Sequence, residues 1–152
     1  MIADLVDRVA AAVAAVDDPE MPGVSIVELG LLERLQVDGS TGRVEVGLVP
    51  TFSGCPALEV IRRDVAESVR AVEGVTSVDV GFLASPVWTV DRVSVAGRRQ
   101  LADSLGVAVA IGPVVTCPRC GSATRQESMF GPTRCRSVHR CTGCGEIVEV
   151  MR

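Results

Sequence analysis

Cys117-Pro118-Arg119-Cys120-Gly121 and Cys141-Thr142-Gly143-Cys144-Gly145, with twenty residues between the two pairs, decide how the C-terminal segment folds. Each CxxC lets one tight turn present two sulfurs to a single ion, and two such turns complete a tetrahedral thiolate set. Gly121 and Gly145 follow the second cysteine of each pair, where positive φ lets main-chain N–H groups turn toward the thiolates. The pattern describes a zinc ribbon or its iron-binding relative, the rubredoxin-like knuckle. Zinc is the expected ion and iron the alternative, since both accept tetrahedral sulfur. Four protein ligands leave no open coordination position, so the metal is expected to be structural. A pair of disulfides is the competing reading, and nothing else in the chain points to export. His139 could replace a thiolate, although the quartet is already complete. Cys135 is a spare sulfur, expected as a buried free thiol within the ribbon.

Working outward, the chain has 152 residues, 47% of them hydrophobic, enough for a real core. Three Phe, one Trp and no Tyr leave Val, Leu and Ala to fill it. All fifteen basic residues are Arg. Residues 1–112 hold nine Arg against sixteen acidic residues, whereas residues 113–152 hold six Arg against three Glu. So small a basic surplus does not make a nucleic-acid footprint, and no nucleic-acid partner is expected. No apolar run reaches the roughly 18 residues a membrane span needs, so no membrane partner is expected. The Ala- and Val-rich stretch from Met1 to Val16 carries Asp4, Asp7 and Arg8 and reads as a helix, not a signal peptide. A cytoplasmic location follows as the expectation, in keeping with cysteines used for metal.

The periodicity predicts a first helix over Ile2–Val16, stopped by the segment Asp17 to Gly23 with its two prolines. Ser25–Leu29 reads as a helical turn capped by Ser25. Leu31–Val37 and Arg43–Val49 read as a hairpin around Asp38-Gly39-Ser40-Thr41-Gly42. Leu58, Ile61, Val65, Val69 and Val72 form a helical core stripe, and Val75–Leu83 reads as a third strand. Ser85-Pro86-Val87-Trp88 is expected to be a loop with Trp88 as a core plug. A last helix is predicted over Ser94–Leu105, followed by a linker, 107–113. The expected architecture is α+β: a small mixed β-sheet with helices packed on one face, spanning 1–112, then the metal ribbon over 113–152. A homodimer through an exposed β edge or apolar groove stays open.

Cys55 is the second chemical feature. Pro56 suits the first helical position, which puts Cys55 at the N-cap, where the helix dipole and unpaired N–H groups favour a thiolate. A reactive or metal-ligating thiolate and a small buried hydrophobe are both consistent with that position. Asp17-Asp18-Pro19-Glu20 reads either as a carboxylate-bearing loop near Cys55 or as a helix stop with solvated acids. There is no P-loop or dinucleotide fingerprint, and the single His lies in the ribbon, so the chain is not expected to be an enzyme.

Asp18-Pro19-Glu20, Leu29-Gly30-Leu31 and Thr51-Phe52-Ser53-Gly54-Cys55-Pro56 before a helix resemble the domain family of iron–sulfur-cluster assembly factors. Its hallmarks are a DPE loop and a T-x-x-x-C-P motif. Ser85-Pro86-Val87-Trp88-Thr89, Gly97-Arg98, Cys117-Pro-Arg-Cys120-Gly-Ser122, Phe130-Gly131-Pro132-Thr133 and Cys135 resemble one branch. That branch comprises the D-type (also called J) accessory subunits of bacterial phenylacetyl-CoA epoxidase, or oxygenase, systems. The resemblance implies a non-catalytic accessory role in phenylacetate degradation, helping to assemble metal centres. It implies oxygenase or reductase subunits as partners, with a scaffold holding those components together as the alternative. It makes Cys55 a transient ligand for iron or an iron–sulfur cluster, with Asp18, Glu20 and Thr51 as neighbours of that site.

Overall fold

The computed structural model describes residues 2–152. Two compact units divide between Trp88 and Thr89.

The first unit begins with α1 (Ile2–Ala14), whose Leu5, Val9 and Val13 are buried along one stripe. The expected stop follows, but it is more ordered than a plain loop. Strands β1 (Asp17–Asp18) and β2 (Met21–Ser25) form a small antiparallel hairpin across the two prolines. Two carboxylates hold its connection by accepting main-chain N–H groups: Asp18 Oδ1 accepts from the Glu20 N–H at 2.8 Å, and Asp17 Oδ2 from the Gly23 N–H at 3.1 Å. The Ser25 turn forms as expected, with the Leu29 N–H donating to the Ser25 carbonyl at 3.0 Å.

β3 (Leu32–Asp38) and β4 (Arg43–Leu48) make the antiparallel hairpin, and β5 (Ser77–Phe82) lies parallel to β4 on its other side. A parallel neighbour requires a crossover, supplied by α2 (Ala57–Arg70). Val44, Val46 and Leu48 of β4 and Val80 of β5 are buried, as are Ile61, Val65 and Val69 of α2. With α1 and α2 packed on each other, on β3 and on β5, the sheet is covered on one face. This is the mixed sheet expected from the sequence.

Gly42 shows why the hairpin turn must stay small. Its φ is +74°, and a Cβ there would lie 2.3 Å from the Gly74 carbonyl oxygen. The Thr76 N–H donates to the Gly42 carbonyl at 2.8 Å, tying the hairpin loop to the connection before β5.

The second unit opens with a 3-10 turn (Val90–Arg92) and α3 (Val95–Gln100), whose N-cap Ser94 accepts from the Gly97 N–H at 2.9 Å. A π-type turn over Leu101–Leu105 continues the expected helix until Gly106, at φ +63°, ends it. β6 (Val107–Val109) follows, then β7 (Thr124–Ser128), β8 (Arg136–Cys141) and β9 (Ile147–Met151), in the order β6-β9-β8-β7.

The segment expected as a linker is therefore a strand. Val107–Val109 runs parallel to Glu149–Met151. One buried apolar cluster of the ribbon is Ala108, Cys117, Cys141, Val148 and Val150, with Ala110 and Val115 against it, and Val107, Cys135 and Met151 are buried as well. Modules with cores this small commonly draw folding free energy from a bound ion.

Candidate functional site

The two CxxC segments fold into matching turns. In the first, the Gly121 N–H donates to the Cys117 carbonyl at 2.9 Å and the Cys117 N–H to the Ser122 carbonyl at 2.8 Å. In the second, the Gly145 N–H donates to the Cys141 carbonyl at 3.2 Å and the Cys141 N–H to the Glu146 carbonyl at 2.9 Å. Gly121 and Gly145 have φ of +78° and +76°, values strained for residues with a side chain.

These turns bring the sulfurs of Cys117, Cys120, Cys141 and Cys144 within 4.8 Å of one another. Cys117 and Cys144 are 3.9 Å apart, and Cys120 and Cys141 3.3 Å. A tetrahedral ion with metal–sulfur bonds of about 2.3 Å sets sulfur–sulfur edges of about 3.8 Å, so the set fits a divalent metal. The spacing is too long for disulfides, and all six cysteines are unbridged.

Hydrogen bonds already favour thiolates. The Gly143 and Cys144 N–H groups approach Cys141 Sγ at 3.3 and 3.4 Å, and with the Cys144 N–H as the larger influence they lower the Cys141 thiol pKa. The Ser122 hydroxyl and then its N–H hold the Cys120 thiol down to about 6. At Cys144 the Glu146 N–H favours the thiolate, but burial and the neighbouring sulfurs outweigh it and push the thiol up to about 11. Four sulfurs this close repel as anions, and a cation at their centre relieves that repulsion.

Sequence reasoning quoted Ser122 only as part of a family motif, and did not foresee its bonds to Cys120 or the fit of Gly143 against it. A Cβ at Gly143 would lie 2.3 Å from Ser122 Oγ, 2.7 Å from its Cβ and 3.4 Å from Cys120 Sγ. The available signal was a small hydroxyl residue directly after Cys-Gly.

His139 is outside the sulfur set. It is buried on β8, with Nδ1 2.9 Å from Thr124 Oγ1, and burial lowers its pKa. Cys135 is also outside it, buried with its sulfur 3.2 Å from Thr133 Oγ1.

Cys55 lies in the first unit, at the start of α2. Pro56 has helical dihedrals, φ −64° and ψ −20°, and the Leu58 N–H donates to the Cys55 carbonyl at 3.2 Å. The helix begins at Ala57 with Pro56 as its N-cap, so Cys55 sits one residue ahead of the N-cap position expected for it, half-buried, beside exposed Gly54 and Pro56. Thr51 is half-buried at the opening of the same loop. Asp18 is buried in β1, which packs against α2, and its carboxylate organises its own turn. Glu20 is exposed in the β1–β2 connection. Trp88 is the core plug expected of it, its indole N–H donating to the Leu29 carbonyl at 2.8 Å.

Two family profiles match the chain. One, described as iron-sulfur cluster assembly protein, covers residues 6–80, and the other, the PaaD zinc beta ribbon domain, covers residues 107–152. The second begins at β6, in line with the pairing of that strand. A protein of Escherichia coli strain K12, described as the D-type component of 1,2-phenylacetyl-CoA epoxidase, is 34% identical, the match spanning 93% of this chain and 88% of the relative. The Fe-S protein maturation auxiliary factor SufT of Staphylococcus aureus is 34% identical over 59% of this chain and 96% of its own length. Among solved structures, a domain of unknown function (DUF59) from Bacillus anthracis superposes with a TM-score of 0.61 at 28% identity, covering 66% of this chain and 94% of that one. A conserved hypothetical protein of Thermotoga maritima gives a TM-score of 0.52 at 32% identity, covering 62% and 91%.

Proposed function

From the family to which the chain belongs, that of D-type phenylacetyl-CoA epoxidase components joining an iron–sulfur cluster assembly domain to a PaaD-type zinc ribbon, we propose an accessory maturation role. The client is the phenylacetyl-CoA oxygenase system, and the working group is Cys55. The observation that carries this reading is the position of that sulfur. It is half-buried at the start of α2, inside the segment that matches the assembly family.

At that place the unpaired N–H groups and the positive end of the helix favour the thiolate, the form that binds iron. One sulfur is far short of a closed ligand set. Iron or a cluster held there keeps positions for donors of a carrier or client, so it is cargo that can be passed on. Asp18, Glu20 and Thr51 are assigned as neighbours that shape this site. The reading gives the chain no catalytic turnover of its own.

The ribbon quartet plays the opposite part. Cys117, Cys120, Cys141 and Cys144 close around one ion, proposed to be zinc, which would hold the two turns together. Unbridged cysteines suit a reducing compartment, and the cytoplasm is proposed; no helix among the described residues is long and apolar enough to cross a membrane.

The test is Cys55→Ser. The variant should keep its fold and its ribbon ion, while oxygenase matured beside it loses iron and activity. Oxygenase with unchanged iron content and turnover would refute the role of Cys55. Elemental analysis of the anaerobically purified chain reads zinc against iron in the same preparation.

A further inference from the structure

Among the large apolar side chains exposed at the surface, two adjacent ones belong to the ribbon: Met129 at 54% and Phe130 at 83%. They stand at the tip of the β7–β8 connection, and the connection is built to hold them out. Ser128 Oγ accepts from the Phe130 N–H at 3.0 Å and donates to the Phe130 carbonyl at 3.0 Å, clamping its main chain from both sides. Gly131 then passes so close to Arg136 that a Cβ would lie 2.8 Å from its carbonyl oxygen. An aromatic fixed in water loses little conformational entropy when a partner covers it.

Strand register locates the pair on the sheet. The Ala110 N–H donates to the Met151 carbonyl at 2.9 Å, and Met151 pairs with Arg136. Exposed Ile111 therefore shares the end of the sheet from which the Met129–Phe130 tip projects. The cysteines lie at the other end, about 17 Å away along β8 at the usual rise of a strand. The patch is thus separate from the metal.

Charge points to what covers it. Residues 89–152 hold nine Arg against five acidic residues, while residues 1–88 hold six Arg against fourteen. Arg125 and Arg134 flank the tip in sequence. A protein surface with an apolar socket and an acidic rim matches both the aromatic tip and its arginines.

We propose that Met129 and Phe130 are the anchor by which the ribbon docks on a protein partner, inserting into an apolar, acid-rimmed socket of an oxygenase subunit. The identity of the partner rests on the maturation role proposed above; the anchor itself does not use Cys55.

The experiment measures binding of the full chain to the purified oxygenase complex of the same system, for wild type, Phe130→Ser, Met129→Ser/Phe130→Ser and Cys55→Ser. Phe130→Ser should weaken the dissociation constant about tenfold or more, with ion content and thermal unfolding unchanged. Cys55→Ser should bind like wild type, and Arg125→Glu/Arg134→Glu should slow association. Equal binding by wild type and Phe130→Ser overturns the anchor, as does failure of wild type to bind. The maturation role is judged separately, by oxygenase iron content with Cys55→Ser. Self-association of the wild type abolished by Phe130→Ser, or Phe130-dependent flotation with phosphatidylglycerol vesicles, would assign the tip elsewhere and overturn the proposal.

Discussion

The indole N–H of Trp88 donates to the main-chain carbonyl of Leu29 at 2.8 Å, across fifty-nine residues of sequence. Leu29 ends the turn that Ser25 begins, and Trp88 is the last residue of the first unit. One side chain thus closes the chain's exit onto the turn before β3. Trp88→Phe keeps most of the apolar area but leaves a buried carbonyl without its donor. The expected loss is about 1–3 kcal/mol in chemical denaturation of the first unit. A stability equal to wild type would show that the bond contributes nothing.

Asp38 supplies a pH test. Its carboxylate accepts from the Ser40 hydroxyl at 2.6 Å, the Ser40 N–H at 2.9 Å and the Thr41 N–H at 3.3 Å. The Ser40 hydroxyl leads these in holding the pKa down to about 2, from an ordinary 3.8. A depressed native pKa stabilises the fold fully above about pH 4, and that contribution fades as pH falls toward 2. Asp38→Asn should melt below wild type near neutrality, with the gap closing over that window. A gap unchanged from pH 6 to pH 2 would reject this origin.

Gly143 and Ser122 test how closely the two turns must approach. Gly143→Ala would place a methyl 2.3 Å from Ser122 Oγ and 2.7 Å from its Cβ. The second turn must then draw back, spreading the sulfurs. Disturbance of groups that support ligands usually costs 10–100-fold in metal affinity, and a loss of that order is expected in chelator competition. Ser122→Gly in the same chain removes the obstructing side chain and should recover part of the affinity. No recovery would place the defect elsewhere.

What could be read from the sequence follows the range of the interactions. CxxC-Gly turns are local, so Cys117, Cys120, Cys141 and Cys144 were legible from spacing alone. The stripe through Ile61, Val65 and Val69 was legible because helical periodicity is local too. Pro56 announced the start of α2, but the N-cap falls on Pro56 itself and not on Cys55. β6 was not legible: its three residues pair with Glu149–Met151, forty-two residues away. Nothing near Val107 announces that partner, and the segment was therefore expected as a linker. The β1–β2 hairpin was hidden differently, by Pro19, Pro22 and Gly23, residues that argue against strands, while the Asp18 and Asp17 carboxylates hold the turn through the Glu20 and Gly23 N–H groups. The close approach of Ser122 to Gly143 depends on two turns meeting in space, and single-turn patterns do not carry it.

Removing the ion should separate the two units. The ribbon buries few apolar side chains, and structural zinc in modules of this size contributes roughly 10–16 kcal/mol of apparent binding energy. Without it, β8 and β9 lose the clamp that joins Cys141 and Cys144 to Cys117 and Cys120. The first unit keeps its own core of α1, α2 and β4, and the chain's single tryptophan lies within it. A chelator, or Cys144→Ala, should therefore expose the ribbon amides to rapid hydrogen exchange while Trp88 fluorescence stays native. Exchange in β3, β4 and α2 should remain slow under the same treatment. Simultaneous loss of Trp88 fluorescence and ribbon protection would show that the ion stabilises both units as one cooperative structure.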